Sequence, residues 1–484
     1  MPLKKLLYTG LLCVLLGVVV VCDTGCANII PPTGGPKDTL APVLLAAAPR
    51  DSALRFTGKK IVLNFDEYVQ LENAQENIIV SPVPVINPLF ESKLRTVTIT
   101  IRDTLQPNTT YSINFGNAIK DINEGNAYKQ FTYLFSTGTY LDDRTLSGTV
   151  TIAETGKTDS TLIAMLYQDG DDSAVVKKRP RYVTRLDNKG SFTFRNLPSG
   201  TFYLYAVKDE GGTRRYTDAS QLFAFAGRPL ALAADNEPVQ LYAYVAKAEE
   251  QKKGTTPSPA ASSKEKKNED KRLRYQTSLE AGLQDILDTL RIQFASPLKT
   301  FDSSQLIFTD EKFQRLGNYR LIPDSLYQQF TFLYTWKPGT AYNLIFNKEL
   351  AEDSTGRKLA KIDTVDFKTK KLEDYGTLRL RFPTLDLSQH PVLLLVQNEK
   401  IVYTHVFTTK DFNTKIFRPG DYELRILYDE NGNARWDTGD FFGKHKQPEK
   451  VQSIDKKLTV KANWDNDHTF NLQPSGTGPA PPSK

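Results

Sequence analysis

The sequence has little of what catalytic, metal and disulfide sites require. Its three cysteines all lie within the first 26 residues, and it has only four histidines, His390, His405, His445 and His468. No two of these histidines have the spacing of a metal site or a catalytic triad, and no nucleophile elbow, phosphate loop or dinucleotide fingerprint occurs. The lack of these motifs argues against an enzyme, and the lack of further cysteines argues against a disulfide framework.

An excess of one charge sign is also absent. Sixty-two basic and 56 acidic side chains leave a net charge of +6 over 484 residues, without a dense basic stripe along the chain. Nucleic-acid binding usually needs such a stripe. We therefore expect no nucleic-acid partner.

Long apolar runs are missing except at the N-terminus, where Leu6–Val21 follows the basic pair Lys4 and Lys5. This run is shorter than the about 20 residues that a membrane-spanning helix needs. Its length and its basic flank suit the apolar core of a secretory signal peptide. We predict a signal peptide over residues 1–25.

Cys26 is predicted to carry a lipid. The residues on either side of it, Gly25 and Ala27, are small, and the segment resembles the lipobox of bacterial lipoproteins. It departs from that pattern at Asp23, where an apolar residue is usual. Cys22 is the alternative lipid site, although the valine before it is bulkier than the pattern allows.

Residues 26–39 are rich in proline and glycine, which favours an extended tether between the lipid and the first domain. The protein is thus expected to be lipid-anchored in the cell envelope. Surface-directed lipoproteins often have acidic residues just after the lipid site, and Ala27–Gly35 has none. This favours the periplasmic face, with the cell surface as the alternative.

Almost every periodic segment predicts a β-strand. Lys60–Phe65, Thr96–Ile101 and Tyr422–Tyr428 are short, rich in β-branched or aromatic residues, and bounded by turn residues. Strands at this spacing, without helices between them, indicate an all-β chain of tandem β-sandwiches. A charged linker at 247–271 and a tail at 473–484 have too few large apolar residues to fold and are predicted to be disordered.

The two halves of the chain repeat each other in the same order. Pro107–Tyr111 matches Pro338–Tyr342, and Gly200–Leu204 matches Gly420–Leu424 at an offset of 220 residues. Several matches in one order imply a duplicated two-domain unit. Because the charged linker separates the halves, we expect each half to fold without the other.

The repeated segments resemble two known families. Ala41–Pro49, the strand ending Asn64–Glu67, the Pro-x-Thr-x-Tyr corner and the closing Phe-x-Thr resemble the bacterial Ig-like domain, whereas Gly190–Phe202 resembles the transthyretin-like sandwich of carboxypeptidase regulatory domains. The whole chain is similar to Ig-like-domain lipoproteins of the outer membrane, which implies architecture and location but no activity. The resemblance implies Ig-like domains at 40–140 and 272–371 and transthyretin-like sandwiches at 141–246 and 372–472.

One loop, Asp429–Asp440, has oxygen atoms at the spacing of an EF-hand calcium loop. It departs from that pattern because Ala434 replaces the usual glycine and the last carboxylate is aspartate rather than glutamate. The equivalent loop that starts at Asp209 lacks the last two carboxylates, so those belong to one copy, and a plain hairpin turn remains the alternative. The predicted calcium ligands are Asp429, Asn431, Asn433, the carbonyl of Arg435, Asp437 and Asp440.

These features favour a non-enzymatic lipoprotein that acts as a scaffold or protein-binding component of the outer membrane or periplasm, with an outer-membrane β-barrel complex as one partner class. The alternative is a surface protein that binds glycans or assists their processing. In that case exposed aromatic side chains would stack on sugars, and the candidates are Trp336, Trp436 and Trp464.

Replacing Cys26 with Ala should remove the membrane anchor. We expect the variant in the soluble fraction without incorporated fatty acid, because no other cysteine follows a small residue. Fractionation and labelling with a fatty-acid analogue measure both effects, and Cys22→Ala is the matched control that should stay lipidated. Continued labelling of the Cys26→Ala variant would contradict the assignment.

Overall fold

The computed structural model describes residues 37–233, 236–246 and 272–472. The predicted signal peptide, the lipid site Cys26, the charged segment 247–271 and the tail 473–484 lie outside the described residues, so these predictions remain open. Within the described ranges strands dominate, and the helices Ala74–Asn77 (α1) and Ala174–Lys177 (α2) are single turns. The prediction of an all-β chain of tandem β-sandwiches is confirmed. No helix in these ranges is long and apolar enough to cross a membrane.

The chain divides into two compact units. The first comprises the described residues up to Val80 together with Pro84–Leu141, and the second comprises Ser81–Val83 and the described residues from Asp142 onward. The first unit holds one sandwich, and the second unit holds three, which we call the second, third and fourth sandwiches in chain order.

The first sandwich follows the period-two pattern of its strands. In Lys60–Phe65 the apolar residues Ile61, Leu63 and Phe65 point into the core and alternate with more exposed neighbours. Its sheets have the strand orders β1-β2-β6-β5, β4-β7-β9 and β3-β8. The strands are β1 Leu44–Ala48, β2 Lys60–Phe65, β3 Val69–Leu71, β4 Ile79–Ser81, β5 Leu89–Lys93, β6 Thr96–Thr100, β7 Thr110–Gly116, β8 Ile119–Asp121 and β9 Phe131–Ser136.

The second sandwich packs a sheet of order β13-β10-β17 against a sheet of order β12-β11-β14-β15, with β16 also paired to β14. Strands β10 and β17 are parallel and approach closely at Gly148, where an added Cβ would lie 2.1 Å from the carbonyl oxygen of Val239. The strands are β10 Arg144–Ile152, β11 Leu162–Tyr167, β12 Tyr182–Arg185, β13 Ser191–Leu197, β14 Gly200–Lys208, β15 Phe223–Phe225, β16 Leu230–Leu232 and β17 Val239–Ala243.

The third sandwich has sheets of order β18-β20-β24-β23, β19-β27-β25-β22 and β21-β26 around an aromatic core. Its strands are β18 Tyr275–Thr277, β19 Leu283–Gln284, β20 Leu290–Phe294, β21 Leu298–Phe301, β22 Leu306–Asp310, β23 Arg320–Pro323, β24 Gln329–Leu333, β25 Ala341–Phe346, β26 Ala351–Asp353 and β27 Asp363–Thr369.

The fourth sandwich repeats the layout of the second, with sheets of order β31-β28-β34 and β30-β29-β32-β33 and a parallel pair β28–β34. This shared topology agrees with the duplication that the sequence predicts. The strands are β28 Gly376–Arg381, β29 Pro391–Gln397, β30 Lys400–Val406, β31 Asp411–Phe417, β32 Gly420–Tyr428, β33 Lys450–Val460 and β34 Asp465–Thr469.

The repeated Pro-x-Thr-x-Tyr corner makes the same hydrogen bonds in the first and third sandwiches. The Tyr111 hydroxyl oxygen accepts the N–H of Gln106 at 2.8 Å, and the Thr137 hydroxyl donates to the Gln106 carbonyl at 2.7 Å. Tyr342 and Thr369 make the same two bonds with the residue five positions before Tyr342, at 3.4 and 2.6 Å. The motif therefore recurs because it ties a chain corner to the last strand of the sandwich.

A buried aspartate closes the turn after β8 and, in the repeat, the turn after β26. Asp353 accepts N–H bonds from Thr355 and Arg357, each at 2.9 Å, and also a bond from the Arg357 side chain at 2.7 Å. Burial alone would raise the pKa of Asp353, but these hydrogen bonds outweigh it and lower the pKa to about 2. Asp121 makes the corresponding turn, with its pKa lowered in the same way.

The low pKa of Asp353 predicts acid sensitivity of the third sandwich. The ionised carboxylate should stabilise the fold above its ordinary pKa of 3.8 and lose this effect as the pH falls through about 2. Asp353→Asn should therefore lower the free energy of unfolding at neutral pH by about 1–2 kcal/mol and flatten its pH dependence in that window. Calorimetry of the full chain across pH measures both effects. Asp366→Asn is the control, because Asp366 is exposed. Equal acid sensitivity of the wild type and the two variants would rule out this role for Asp353.

Candidate functional site

The loop that joins β32 to β33 contains every predicted calcium ligand. Asp429, at its start, is buried and accepts N–H bonds from Asn433 at 3.3 Å and Ala434 at 2.6 Å. The equivalent Asp209 of the second sandwich accepts the N–H groups four and five residues later, each at 2.9 Å. Because both copies close the turn in this way, the Asp429 carboxylate is explained by the fold without a metal ion.

The side chains of Asn431, Asn433 and Asp437 come together in the middle of the loop. The Asp437 carboxylate accepts amide hydrogen bonds from Asn433, at 3.0 Å, and from Asn431. The Asn433 side-chain oxygen in turn accepts the N–H of Arg435 at 2.6 Å. These three predicted ligands are thus adjacent, but their contacts are with each other and with the backbone.

Asp440 lies outside this group. Its carboxylate accepts N–H bonds from Gly443 at 2.9 Å and from Lys444 at 3.2 Å, so it closes a separate turn. Among the residues that the structure describes, no three His, Cys, Asp or Glu side chains are grouped so as to hold a metal ion. The six predicted ligands do not fit a preformed calcium site. Calcium binding stays a prediction, and it requires Asp437 to exchange its amide partners for the ion.

Glu449 is a buried carboxylate of this loop that the sequence does not reveal. Its side chain accepts the N–H groups of Glu430 and Asp437, each at 3.0 Å, and its carbonyl accepts the indole N–H of Trp436 at 2.8 Å. Burial raises the pKa of Glu449, the two N–H bonds oppose this, and the charges of Asp437 and Asp429 raise it further. The sequence does not reveal this role, because Glu449 lies after the last position of the calcium-loop pattern. Only the folded hairpin brings its side chain to the loop.

The same loop inserts Phe441 into the second sandwich. Phe441 is 4% exposed, and its ring centroid lies 5.6 Å from that of Tyr205, 5.3 Å from that of Phe223 and 4.9 Å from that of Phe225. Phe441 of the second half is therefore buried against the outer face of the second sandwich, and the expectation that each half folds without the other stays a prediction. Sequence periodicity cannot reveal this contact, because a buried aromatic in a loop has no repeat pattern.

Backbone contacts join the second and fourth sandwiches as well. The Thr438 hydroxyl donates to the Val245 carbonyl at 2.7 Å, and the N–H of Val451 donates to the Ala153 carbonyl at 2.9 Å. Gly156 has a φ of +68°, and an added Cβ there would lie 2.6 Å from the Val451 carbonyl oxygen. The close approach thus depends on a glycine.

Four charged side chains flank this contact. Lys157 lies 2.9 Å from Glu399 and 3.3 Å from Glu423, and the buried Arg425 lies within 3.2 Å of both glutamates. The hydrogen bond that Lys157 donates to Glu399 outweighs desolvation and raises the pKa of Lys157. Partly exposed ion pairs contribute only about 0–1 kcal/mol each, so the aromatic contact dominates the attachment.

Strand β30 is the edge of its sheet and is exposed on both faces. It pairs only with β29 in the described part of the chain. Four apolar side chains of this short strand are open to solvent, namely Ile401, Val402, Tyr403 and Val406, with exposed fractions of 55, 48, 37 and 48%. Large apolar side chains gathered on an open strand edge are uncommon in proteins that act alone.

The three tryptophans have different environments. Trp336 belongs to the core of the third sandwich, and Trp436 is half-buried in the loop described above. Trp464 is 60% exposed, with the Lys461 ammonium 4.7 Å from its ring centroid. Only Trp464 of the three is placed to meet a ligand from solvent.

Residues 38–137 match the bacterial Ig-like domain family. The match covers the first sandwich, which we now call the Ig-like domain. No curated protein matches the chain. The resemblance of the second and fourth sandwiches to transthyretin-like domains, and the predicted domain boundaries, stay predictions.

Several solved structures align with the chain at low similarity. The Bacillus anthracis TIE protein aligns over 91% of this chain and 76% of its own at 11% identity, with a TM-score of 0.16. The N-terminal part of the bacterial S-layer protein SbsC aligns over 42% and 44% at 16% identity, with a TM-score of 0.16. BcpA, the major pilin subunit of Bacillus cereus, aligns over 68% and 98% at 9% identity, with a TM-score of 0.15. These values are too low to carry an argument about function.

Replacing Phe441 with Ala should separate the second and fourth sandwiches. Loss of a buried phenylalanine costs about 3–5 kcal/mol, more than the flanking ion pairs supply. After cleavage at a protease site inserted within 247–271, wild-type fragments should co-elute in size-exclusion chromatography and Phe441→Ala fragments should not. Phe442→Ala is the matched control, because that neighbouring ring is 51% exposed. If wild-type fragments separate, the contact is too weak to hold the halves together.

Proposed function

We propose that this protein is a non-enzymatic lipoprotein, anchored in the outer membrane through Cys26, that binds a protein partner of the cell envelope. The predicted signal peptide and lipid site support the anchor. The match to a bacterial Ig-like domain supports an envelope location and a binding rather than a catalytic role. An outer-membrane β-barrel complex is a suitable partner class, because the lipid would hold the protein beside it.

The observation that carries this proposal is the open edge of β30. The outer edge of a strand presents unpaired backbone N–H and C=O groups, which an extended segment of another protein can satisfy by adding a strand. Because β30 also exposes apolar side chains on both of its faces, an added strand with apolar residues at alternate positions would bury them. We therefore assign the occupant of this edge as an extended strand of the partner protein.

The opposite edge of the same sheet is formed by β33 and is charged rather than apolar. Strand β33 exposes the charged side chains of Asp455, Lys456 and Lys457, whereas β30 has a single charged residue, Lys400, at its start. Charged residues on an edge strand discourage pairing with other chains. The contrast within one sheet supports a binding role for β30.

A β-bulge limits where the partner can pair. Tyr403 lies opposite Leu395 and Ile401 lies opposite Val396, so Val402 is the extra residue. A bulge bends the strand and interrupts its hydrogen-bond ladder. Strand addition is thus restricted to Tyr403–Val406, which would give the interaction a single register.

A photo-crosslinking amino acid at Val406 tests this assignment in intact membranes. We expect a covalent adduct with one envelope protein, together with slower amide hydrogen exchange of residues 403–406 than in the purified protein. The double variant Val402→Lys with Thr404→Lys should abolish both effects, because two charges on the edge oppose strand pairing.

Ser92→Lys is the matched control for the charge variant, because Ser92 is exposed on the edge strand β5 of the Ig-like domain. It should leave the Val406 adduct and the exchange rates unchanged. An adduct with a second copy of this chain would show that β30 mediates self-association, and the assignment of another protein as its partner would be wrong. No adduct and no protection at β30 would remove the basis of the proposal.

Glycan binding is a second candidate, and the position of Trp464 favours it. Its exposed ring lies at a groove of about 390 Å³ that Lys457, Asp465 and His468 also line. An aromatic platform flanked by polar groups is a suitable surface for a sugar ring. The Lys461 ammonium already lies over the same indole, so a sugar would have to displace it or use the opposite face.

A further inference from the structure

A groove on the fourth sandwich lies between the end of β33 and the strand β34. Its volume of about 390 Å³ is within the range of small-molecule sites, about 300–1,000 Å³. One large apolar side chain, that of Trp464, lines the groove and is 60% exposed. The other lining side chains are polar. The groove therefore suits a ligand that has one flat apolar face and a polar rim, as a sugar ring has.

The carboxylate and amide oxygens that line the groove already have partners within the protein. The Asp465 carboxylate accepts a hydrogen bond from the Thr377 hydroxyl at 2.7 Å, and the Asp467 carboxylate accepts one from the Arg381 guanidinium at 2.6 Å. Asn466 is buried, its side-chain amide donates to the Thr377 carbonyl at 3.0 Å, and its side-chain oxygen accepts a backbone N–H at 3.0 Å. These groups are thus occupied by donors and acceptors of the fold itself.

The donor groups of the groove are not occupied in this way. Two ammonium groups, an indole N–H and an imidazole ring line it without a hydrogen bond or ion pair to another described residue, and they belong to Lys457, Lys461, Trp464 and His468. The ammonium groups and the indole N–H can donate but cannot accept. A ligand of this groove must therefore supply hydrogen-bond acceptors, and negative charge on the ligand would be favoured.

The repeat shows that the fold does not require the aromatic side chain at this position. The equivalent of β34 in the second sandwich is β17, which runs parallel to β10 as β34 runs parallel to β28. The residue just before β17 is Pro238, whereas the residue just before β34 is Trp464. The exposed indole is thus a feature of the fourth sandwich that the second sandwich lacks.

The position of Lys461 favours an acidic over a neutral sugar. Its ammonium lies 4.7 Å from the centroid of the Trp464 ring, so a sugar that packs on this face must displace it. A neutral sugar would give the displaced ammonium no charged partner. An acidic sugar would give it a carboxylate, and a charge-assisted hydrogen bond is stronger than the contact of a cation with an exposed ring. Lys457 supplies a second ammonium to the same groove.

We propose that the groove beside Trp464 binds an acidic sugar residue of a glycan chain. The indole packs against the C–H face of the sugar ring, and the ammonium groups of Lys457 and Lys461 donate hydrogen bonds to the sugar carboxylate. This inference rests on glycan binding, the second candidate function, and specifies the chemical class of the glycan. It does not depend on the partner strand proposed for β30.

Calorimetric titration of the full mature chain with Cys26→Ala tests the ligand class at constant ionic strength. The probes are trigalacturonic acid, its methyl ester, which has the same rings and linkages without the charges, and polyglutamate, an acidic polymer without sugar rings. We expect the acid to bind about tenfold or more tightly than the ester and polyglutamate not to bind. Equal affinity for acid and ester would overturn the acidic specificity and leave glycan binding standing. Absence of binding to both sugars would overturn both, and equal binding of polyglutamate would leave only a cationic surface.

Variants separate the roles of the charge and of the ring. Lys457→Gln and Lys461→Gln should each weaken binding of the acid about tenfold without weakening binding of the ester, and Lys461→Arg should keep binding of the acid. Trp464→Ala should abolish binding of both sugars, and all these variants should melt with the wild type because the side chains are exposed. Lys415→Gln is the matched control, an exposed lysine on β31, at the other edge of the same sheet. Binding of the acid that neither glutamine variant weakens, or that survives Trp464→Ala, would overturn the proposal.

Discussion

The second and fourth sandwiches have apolar residues on the outer faces of their larger sheets as well as in their cores, and these outer faces must be covered. Exposed apolar surface costs roughly 25 cal/mol per Å², and the second sandwich alone carries a cluster of aromatic rings on that face. Phe441 covers this cluster, and Trp436 contacts the outer clusters of both sandwiches. This one contact joins the two copies of the duplicated unit.

Aspartate-closed turns recur through the chain and explain part of what the sequence predicts. The carboxylates of Asp121, Asp353, Asp209 and Asp429 bind backbone N–H groups of the residues just after them. These bonds join residues that are close in sequence, so the turns appear as recognisable motifs. The alternation of apolar and polar residues in the strands is also a local pattern, and together the two allow the all-β class to be recognised from sequence alone. The loop Asp429–Asp440 shows the limit of such local patterns. A turn whose own side-chain oxygens accept backbone N–H bonds has the same residue spacing as a calcium loop, so spacing alone does not distinguish the two.

What the sequence does not reveal is long-range. Phe441 lies in a loop without periodicity and meets rings more than 200 residues earlier in the chain, such as Tyr205. Glu449 becomes part of the loop only when the hairpin folds and its carboxylate meets the N–H of Asp437. Such contacts depend on tertiary packing, for which local pattern carries no information.

The equivalent edges of the second and fourth sandwiches differ in their chemistry. The core of each sandwich takes in a tyrosine of its edge strand, Tyr182 of β12 and Tyr403 of β30, but it places no such demand on residues at the rim. Position 185 is arginine and its equivalent, 406, is valine, while the equivalent turns hold Arg214 in one copy and Ala434 in the other. One edge thus ends in a charged side chain and the other in an apolar one. Because Phe441 joins the two sandwiches, a strand bound at the edge of β30 would hold the second sandwich beside it as well.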